Sequence, residues 1–328
     1  MNASMRSIAM FRAALALLGL LLSAVPAAAQ DWPAKAVKIV VPFGAGSTPD
    51  VVARLIADHL QKKLGQPFLI ENKPGASGNT GTDAVAKAEP DGLTIGISIG
   101  GPLAINTLLF SKLPYNPKTD IAAITQLVTQ PSALAVNSET MVNSVGELVA
   151  LLKREPGKFT FGSIGNGSLS HLAMEAIALK SGTQMVHVPY PSSPAAMTAI
   201  IRGDVQMGCL PAIAVTPHVA SGKVKILAVS TAKRSVYLPQ IPTLKEAGID
   251  VEADAWMGMI APGRTPAALV ARIQREVVEA IGTLAIREKL AAQLMEPIGN
   301  TPAEFRARID GEIVRWAPVI KAANVKVN

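Results

Sequence analysis

The chain has 328 residues, 31 Lys and Arg against 24 Asp and Glu for a formal net charge of +7, and a single cysteine, Cys209. The cations are scattered (Lys35, Lys62, Lys63, Lys87, Lys223, Lys233), with no stripe of Arg interleaved with aromatics, so nucleic acid is a poor fit as partner. One cysteine excludes an internal disulfide, and stability must come from an apolar core, for which the length suffices in two lobes.

Arg6 and Arg12 precede an apolar stretch over residues 13–25, and Ala27-x-Ala29 follows. That order predicts a cleaved export signal over residues 1–29, the stretch being shorter than the ~20 residues a bilayer requires. Losing the two arginines leaves 29 basic against 24 acidic residues, a net +5. The chain is therefore expected to fold in the periplasm, without a cofactor acquired in the cytoplasm.

From residue 37 onward short β-branched runs alternate with helical spacing. Residues 37–41, 68–70 and 93–99 read as strands. Val52, Leu55, Ile56, His59 and Leu60 form one helical face, with Thr48 as its cap before Pro49, and another helix lies near residues 83–87. A second set has strands at 159–162, 185–188, 205–207 and 225–229. Its helices are one opened by the Ser144/Glu147 capping pattern, one over 168–178 and one opened by Pro194. Strand–helix–strand repetition predicts parallel sheets. The last section is helical: Leu269, Ile273, Val277 and Ile281 share a face, and Thr301-Pro302-Ala303-Glu304 caps a final helix that Pro318 should kink or end. Crossings between sets are expected over residues 125–134 and 254–261. They divide the chain into 30–130 plus 254–328 and 131–253, with the C-terminal helices docked on the first set.

Gly, Ser, Thr and Asn cluster where strands pass into helices: residues 42–50, 74–82 and 98–102 in the first set, 162–170 and 187–193 in the second. In an open α/β sheet ligands sit at the carboxyl ends of strands, where helix N-termini offer unpaired N–H groups to an anion. Candidate ligand contacts are Phe43, Ala45, Gly46, Ser47, Thr48, Ala76, Asn79 and Ser98 in the first set. In the second they are Ser163, Gly165, Asn166, Ser168, Ser170, Tyr190 and Cys209. Asp50 is expected to complement the helix start rather than touch ligand. Without a free acidic group in these loops, the ligand is expected to lack an ammonium. Leu210-Pro211 would make one wall apolar.

Gly96-Ile97-Ser98-Ile99-Gly100 matches a hydrolase nucleophile elbow with Ser98 as nucleophile, but Gly101-Pro102 reads as loop where a helix should follow. His171 and Glu175 lack a second ligand pair for a metal, and Gly44-x-Gly46 lacks the third glycine of a dinucleotide site.

Several strings carry a family resemblance: Val40-Val41-Pro42-Phe43, Glu71-Asn72-Lys73-Pro74-Gly75-Ala76, Lys112-Leu113-Pro114-Tyr115, Phe161-Gly162-Ser163, Ser170-His171-Leu172, Val186-His187-Val188-Pro189-Tyr190 and Pro239-Gln240-Ile241-Pro242-Thr243. In these the chain resembles the Bug family, the solute receptors of tripartite tricarboxylate transporters. The resemblance implies an α/β, two-lobed type II periplasmic binding protein fold with hinge closure, and no catalysis. It also implies a small carboxylate ligand held largely by loop amides and water; the absence of a free acidic group in the loops narrows the expectation to a di- or aromatic acid. Membrane transporter subunits are the implied partners; a sensor protein fits hinge closure equally, and the chain is expected to be a monomer. Gly46-Ser47-Thr48, Pro191-Ser192 and Leu210-Pro211 depart from the family's usual residues at the ligand loops.

Overall fold

The computed structural model describes residues 32–327; the expected export signal over residues 1–29 lies outside them. From Lys35 on, the chain builds two sheets and ten α-helices.

The first sheet comprises β1 (Val37–Val41), β2 (Phe68–Asn72), β3 (Thr94–Ile99), β4 (Ile121–Gln130), β10 (Ala255–Pro262) and β11 (Glu296–Pro297), in the order β11-β4-β10-β3-β1-β2. β1 is a β-branched run buried except at Lys38, whose ammonium pairs with Glu71 on β2. Helix α1 (Thr48–Leu64) follows β1, buries Val52, Ala53, Ile56 and Leu60, and ends at Gly65, whose positive φ closes the helix onto the Gln61 carbonyl. Its cap is Ser47 rather than Thr48, with Pro49 in the first turn. Helix α2 (Asn79–Ala86) joins β2 to β3. A π-turn over Gly101–Ile105 leads into α3 (Asn106–Leu109), so the segment after Gly100 is helical and not the loop expected.

The second sheet comprises β5 (Ser132–Asn137), β6 (Thr160–Ser163), β7 (Val186–Pro189), β8 (Met207–Pro211) and β9 (Val224–Val229), in the order β7-β6-β8-β5-β9. Helices α4 (Val145–Arg154), α5 (Leu169–Ser181), α6 (Ser193–Arg202) and α7 (Ala212–Val219) connect them, and α8 (Ala267–Gly282), α9 (Leu284–Ala291) and α10 (Pro302–Ala322) complete the chain.

Neither sheet is wholly parallel. β10 runs antiparallel to β3 and β4, and β5 antiparallel to β8 and β9. These strands arrive from the other sheet instead of through a crossover helix, so the handed strand–helix–strand rule does not bind them. The outward crossing is itself strand, only Pro131 separating β4 from β5, whereas the return from β9 to β10 runs through irregular backbone over residues 230–254.

Helix α10 spans the cores of both sheets. Phe305 and Ile309 pack with Val40, Trp256 and Ile260, the Trp256 and Phe305 rings meeting edge to face at 5.6 Å. Trp316, Val319 and Ile320 instead pack with Leu134, Phe161 and Leu172 of the second sheet's core. The C-terminal helices therefore do not dock on the first set alone. Pro318 neither ends nor replaces a turn of this helix: it lies on the exposed side, where the carbonyl one turn earlier can be hydrated.

Where the chain crosses between sheets it is clamped to α10. Arg308 donates to Glu252 at 2.6 Å and to Asp254 at 2.6 Å, and pairs with Glu312 at 3.1 Å. Arg315 reaches Glu312 at 2.7 Å and Glu252 at 3.2 Å, the Trp316 indole donates to Glu312, and the Thr129 hydroxyl donates to Asp254.

Candidate ligand-binding site

The first-set loops are organised by buried polar groups. Asp50, only 2% exposed, accepts the Gly46 N–H at 2.9 Å, two Arg54 N–H groups at 2.9 and 3.0 Å, and the Asn72 amide at 2.9 Å. Burial alone would raise this carboxyl, but the bonds from Arg54, Gly46 and Asn72 hold it below the usual range. Asn72 also donates to the Phe43 carbonyl. Asp50 is thus fully engaged in shaping residues 43–47. The Ser47 hydroxyl is buried and makes no hydrogen bond among the described residues.

In the next loop four successive residues, Gly75 to Gly78, have positive φ. Two of them, Ala76 and Ser77, are not glycine, and each costs about 1–2 kcal/mol there. Gly78 lets Phe43 and Pro102 close onto the backbone: a Cβ would lie 2.8 Å from Pro102 and 3.0 Å from the Phe43 ring. The three first-set loops therefore meet. Asn79 Oδ1 accepts from Asn106 at 2.7 Å and lies 3.0 Å from the Tyr115 hydroxyl, leaving its amide N–H2 as the part able to donate to a ligand. Asn106 and Tyr115 are not among the candidate contacts that the sequence offers, although Tyr115 closes one of the family-like strings.

Ser98 is fully buried. Its hydroxyl bonds to Thr82, which in turn donates to the Gly78 carbonyl. Ser98 therefore supports the loop from beneath, and among the described residues no histidine is bonded to it as a hydrolase base would be.

The second-set loop, residues 163–170, uses most of its own polar groups internally. Ser170 Oγ accepts from Ile164 N, Ser163 Oγ from Gly165 N and His171 Nδ1 from Gly167 N. Ser168 caps α5, accepting from His171 N. Ser163, Ser168 and Ser170 thus shape the loop, and Asn166 gives its amide to the Lys326 carbonyl at 2.8 Å. Tyr190 packs its ring against Gly162 and the Ala133–Met197 core. Cys209 is wholly buried in the second sheet's core, where desolvation pushes its thiol up to about 12, so it cannot touch a ligand. Leu210 is likewise core, so the expected apolar wall there is not formed by its side chain. The second-set loop meets α3, the helix that follows the third first-set loop, where Gly167 abuts Leu109.

Under the second-set loop His187 stacks on His171, centroids 3.7 Å apart, with Phe161 stacked beyond. His187 Nε2 lies 2.6 Å from Ser163 Oγ, and His171 Nε2 lies 3.5 Å from Glu175. Desolvation, then repulsion from His171, lowers His187 to about 4. A histidine depressed in the fold contributes stability above its unfolded value of 6.5, and that stability is lost as pH falls toward 4. Acidification over that window should destabilise the protein by up to about 3 kcal/mol, and His187→Asn should flatten the dependence. Urea unfolding at pH 7 and pH 4.5 checks this; equal pH dependence in both proteins would contradict it.

A separate groove of about 440 Å³ lies at the other end of the first sheet, lined by Lys118, Thr265, Ala267, Pro302 and Arg306 among others. It is remote from the loops at the carboxyl ends of β1 and β3.

Residues 52–325 match the family described as tripartite tricarboxylate transporter family receptor, TctC. The chain belongs to that family. It is 34% identical over 306 residues to protein BugT of Bordetella pertussis, covering 93% of this chain and 94% of that one. A Rhodopseudomonas palustris protein solved with adipate superposes with a TM-score of 0.76 at 33% identity, over 90% of this chain and 99% of the other. MatC of the same organism, solved with bound malate, gives 0.71 at 29% identity, over 88% and 100%. Members of the family are periplasmic solute-binding receptors, not enzymes, and the two-lobed α/β fold is theirs. No helix among the described residues is long and apolar enough to cross a membrane.

Proposed function

We propose that this receptor captures a small carboxylate, a di- or aromatic acid, in the periplasm and delivers it to a tripartite tricarboxylate-type transporter. The ligand lies between lobes built on the two sheets, residues 30–130 with 254–328 and residues 131–253, the last turns of α10 reaching across. The observation that carries the reading is the contact of the second-set loop, at Gly167, with Leu109 of α3, the helix that follows the third first-set loop, in a chain whose relatives were solved with adipate and malate. The donors best placed for the anion are the Ser47 hydroxyl, the Asn79 amide and backbone N–H groups of residues 45, 48, 76 and 77, near the N-termini of α1 and α2. Because Asp50 is saturated by Arg54, Gly46 and Asn72, it has no capacity for a ligand ammonium, which favours acids without one.

Thermal unfolding with a panel of acids tests this. A ligand at 100 times its Kd adds about 2.7 kcal/mol, or about 5–10 °C. Succinate should outperform aspartate, and glutarate glutamate. A panel in which no carboxylate raises the Tm contradicts the function; tighter binding of both amino acids contradicts the ligand type.

A further inference from the structure

The second-set loop is held from outside as well as from beneath. Gly165 and Gly167 both have positive φ, and glycine backbone of this kind loses much conformational freedom when fixed. Ser163 and His171 hold the two glycine N–H groups from below. Asn166, between them, is exposed, and its side-chain amide donates to the Lys326 carbonyl. Gly167 has no Cβ, and one built there would lie 2.8 Å from Leu109 on one side and 2.8 Å from Val327 on the other. The tail that supplies these contacts is itself anchored: Val325 is buried in the core with Trp316 and Leu172, and its N–H bonds to the Ile320 carbonyl.

We infer that residues 325–327 position the second-set loop for its ligand, an inference that rests on the proposed carboxylate site. Lys326 and Val327 are positioning residues acting through Asn166 and Gly167. Helix α10 starts in the first sheet's core at Phe305 and delivers this tail to a loop of the second sheet, so one element spans from one core to the opposite ligand loop.

Hydrogen exchange of the ligand-free protein tests the positioning without any ligand. Removing residues 326–328, or replacing Asn166→Ala, should speed exchange over residues 163–170 about tenfold, with β1 and β3 unchanged. Adding Asn166→Ala to the shortened chain should change little further, since the truncation already removes the Lys326 carbonyl that Asn166 bonds. Should the shortened chain fail to fold, Asn166→Ala alone decides, because its exposed side chain leaves the core intact; unchanged exchange in that variant overturns the inference. Adipate titration supplies the second readout. Affinity should fall about fivefold in Asn166→Ala while the ligand-free Tm moves by less than about 2 °C. Faster exchange with adipate affinity unchanged overturns the link to binding and leaves the carboxylate site standing. Failure of the wild type to bind any acid overturns that site, while the exchange result still decides whether the tail holds the loop.

Discussion

Arg308→Ala is expected to lower the unfolding free energy by about 3–5 kcal/mol, the cost of leaving buried carboxylates without their partner. Arg308 pairs with Glu252, Asp254 and Glu312, of which Asp254 and Glu312 are buried. The loss concentrates where the chain crosses between sheets, because Asp254 opens the strand that returns to the first sheet and also receives the Thr129 hydroxyl. Burial raises the Glu312 carboxyl above its ordinary 4.5, against the opposing pull of Arg308 and Arg315. Removing Arg308 raises it further. A raised carboxyl supplies its stability below the unfolded value and loses it as pH rises through the folded one. The deficit of the variant should therefore be largest near neutral pH and narrow toward pH 4.5. Urea unfolding of both proteins at pH 7 and pH 5 measures this. A loss under about 1 kcal/mol at pH 7 would place the network in the class of solvated surface pairs.

Gly258→Ala should cost about 3 kcal/mol, the upper end for overpacking a core. Gly258 sits in the middle of β10, and a Cβ there would fall onto the ring of Phe305. That ring is fully buried and packed edge-on to Trp256, so it has nowhere to retreat. Phe305→Ala alone should cost about 3–5 kcal/mol through the cavity it leaves. Because each change answers the other's volume, Gly258→Ala with Phe305→Ala should cost measurably less than those two single changes summed. Additive losses would mean that the strand yields rather than the ring.

Local signals in the sequence were legible where one residue type serves one backbone need. Thr301 and Glu304 form the capping box expected of them. Ser144 caps α4 as expected, although Glu147 reaches back to Asn143 N rather than completing the box. The β-branched run of β1 and the placement of the Gly/Ser/Asn loops after strands were also legible. The crossing strands were not. Ser132–Asn137 is rich in alanine and buried on both faces, and Ala255–Pro262 contains Gly258 and two methionines, so neither shows alternation or strong strand propensity. Strand direction and the reach of α10 across two cores depend on long-range packing, which periodicity does not encode. At the candidate site, residue type revealed hydrogen-bonding capacity but not its use. Ser168 and Ser170 spend theirs on the loop, Asn166 on a carbonyl 160 positions away, and Asn106 and Tyr115 hold Asn79 from distant segments.

The most direct measurement is a crystal structure with a dicarboxylate chosen by its thermal shift. The bound acid should lie against residues 43–48 and 76–79 on one side and residues 163–170 on the other. An acid held by one set of loops alone, or seated in the groove beside Arg306, would contradict capture between the lobes.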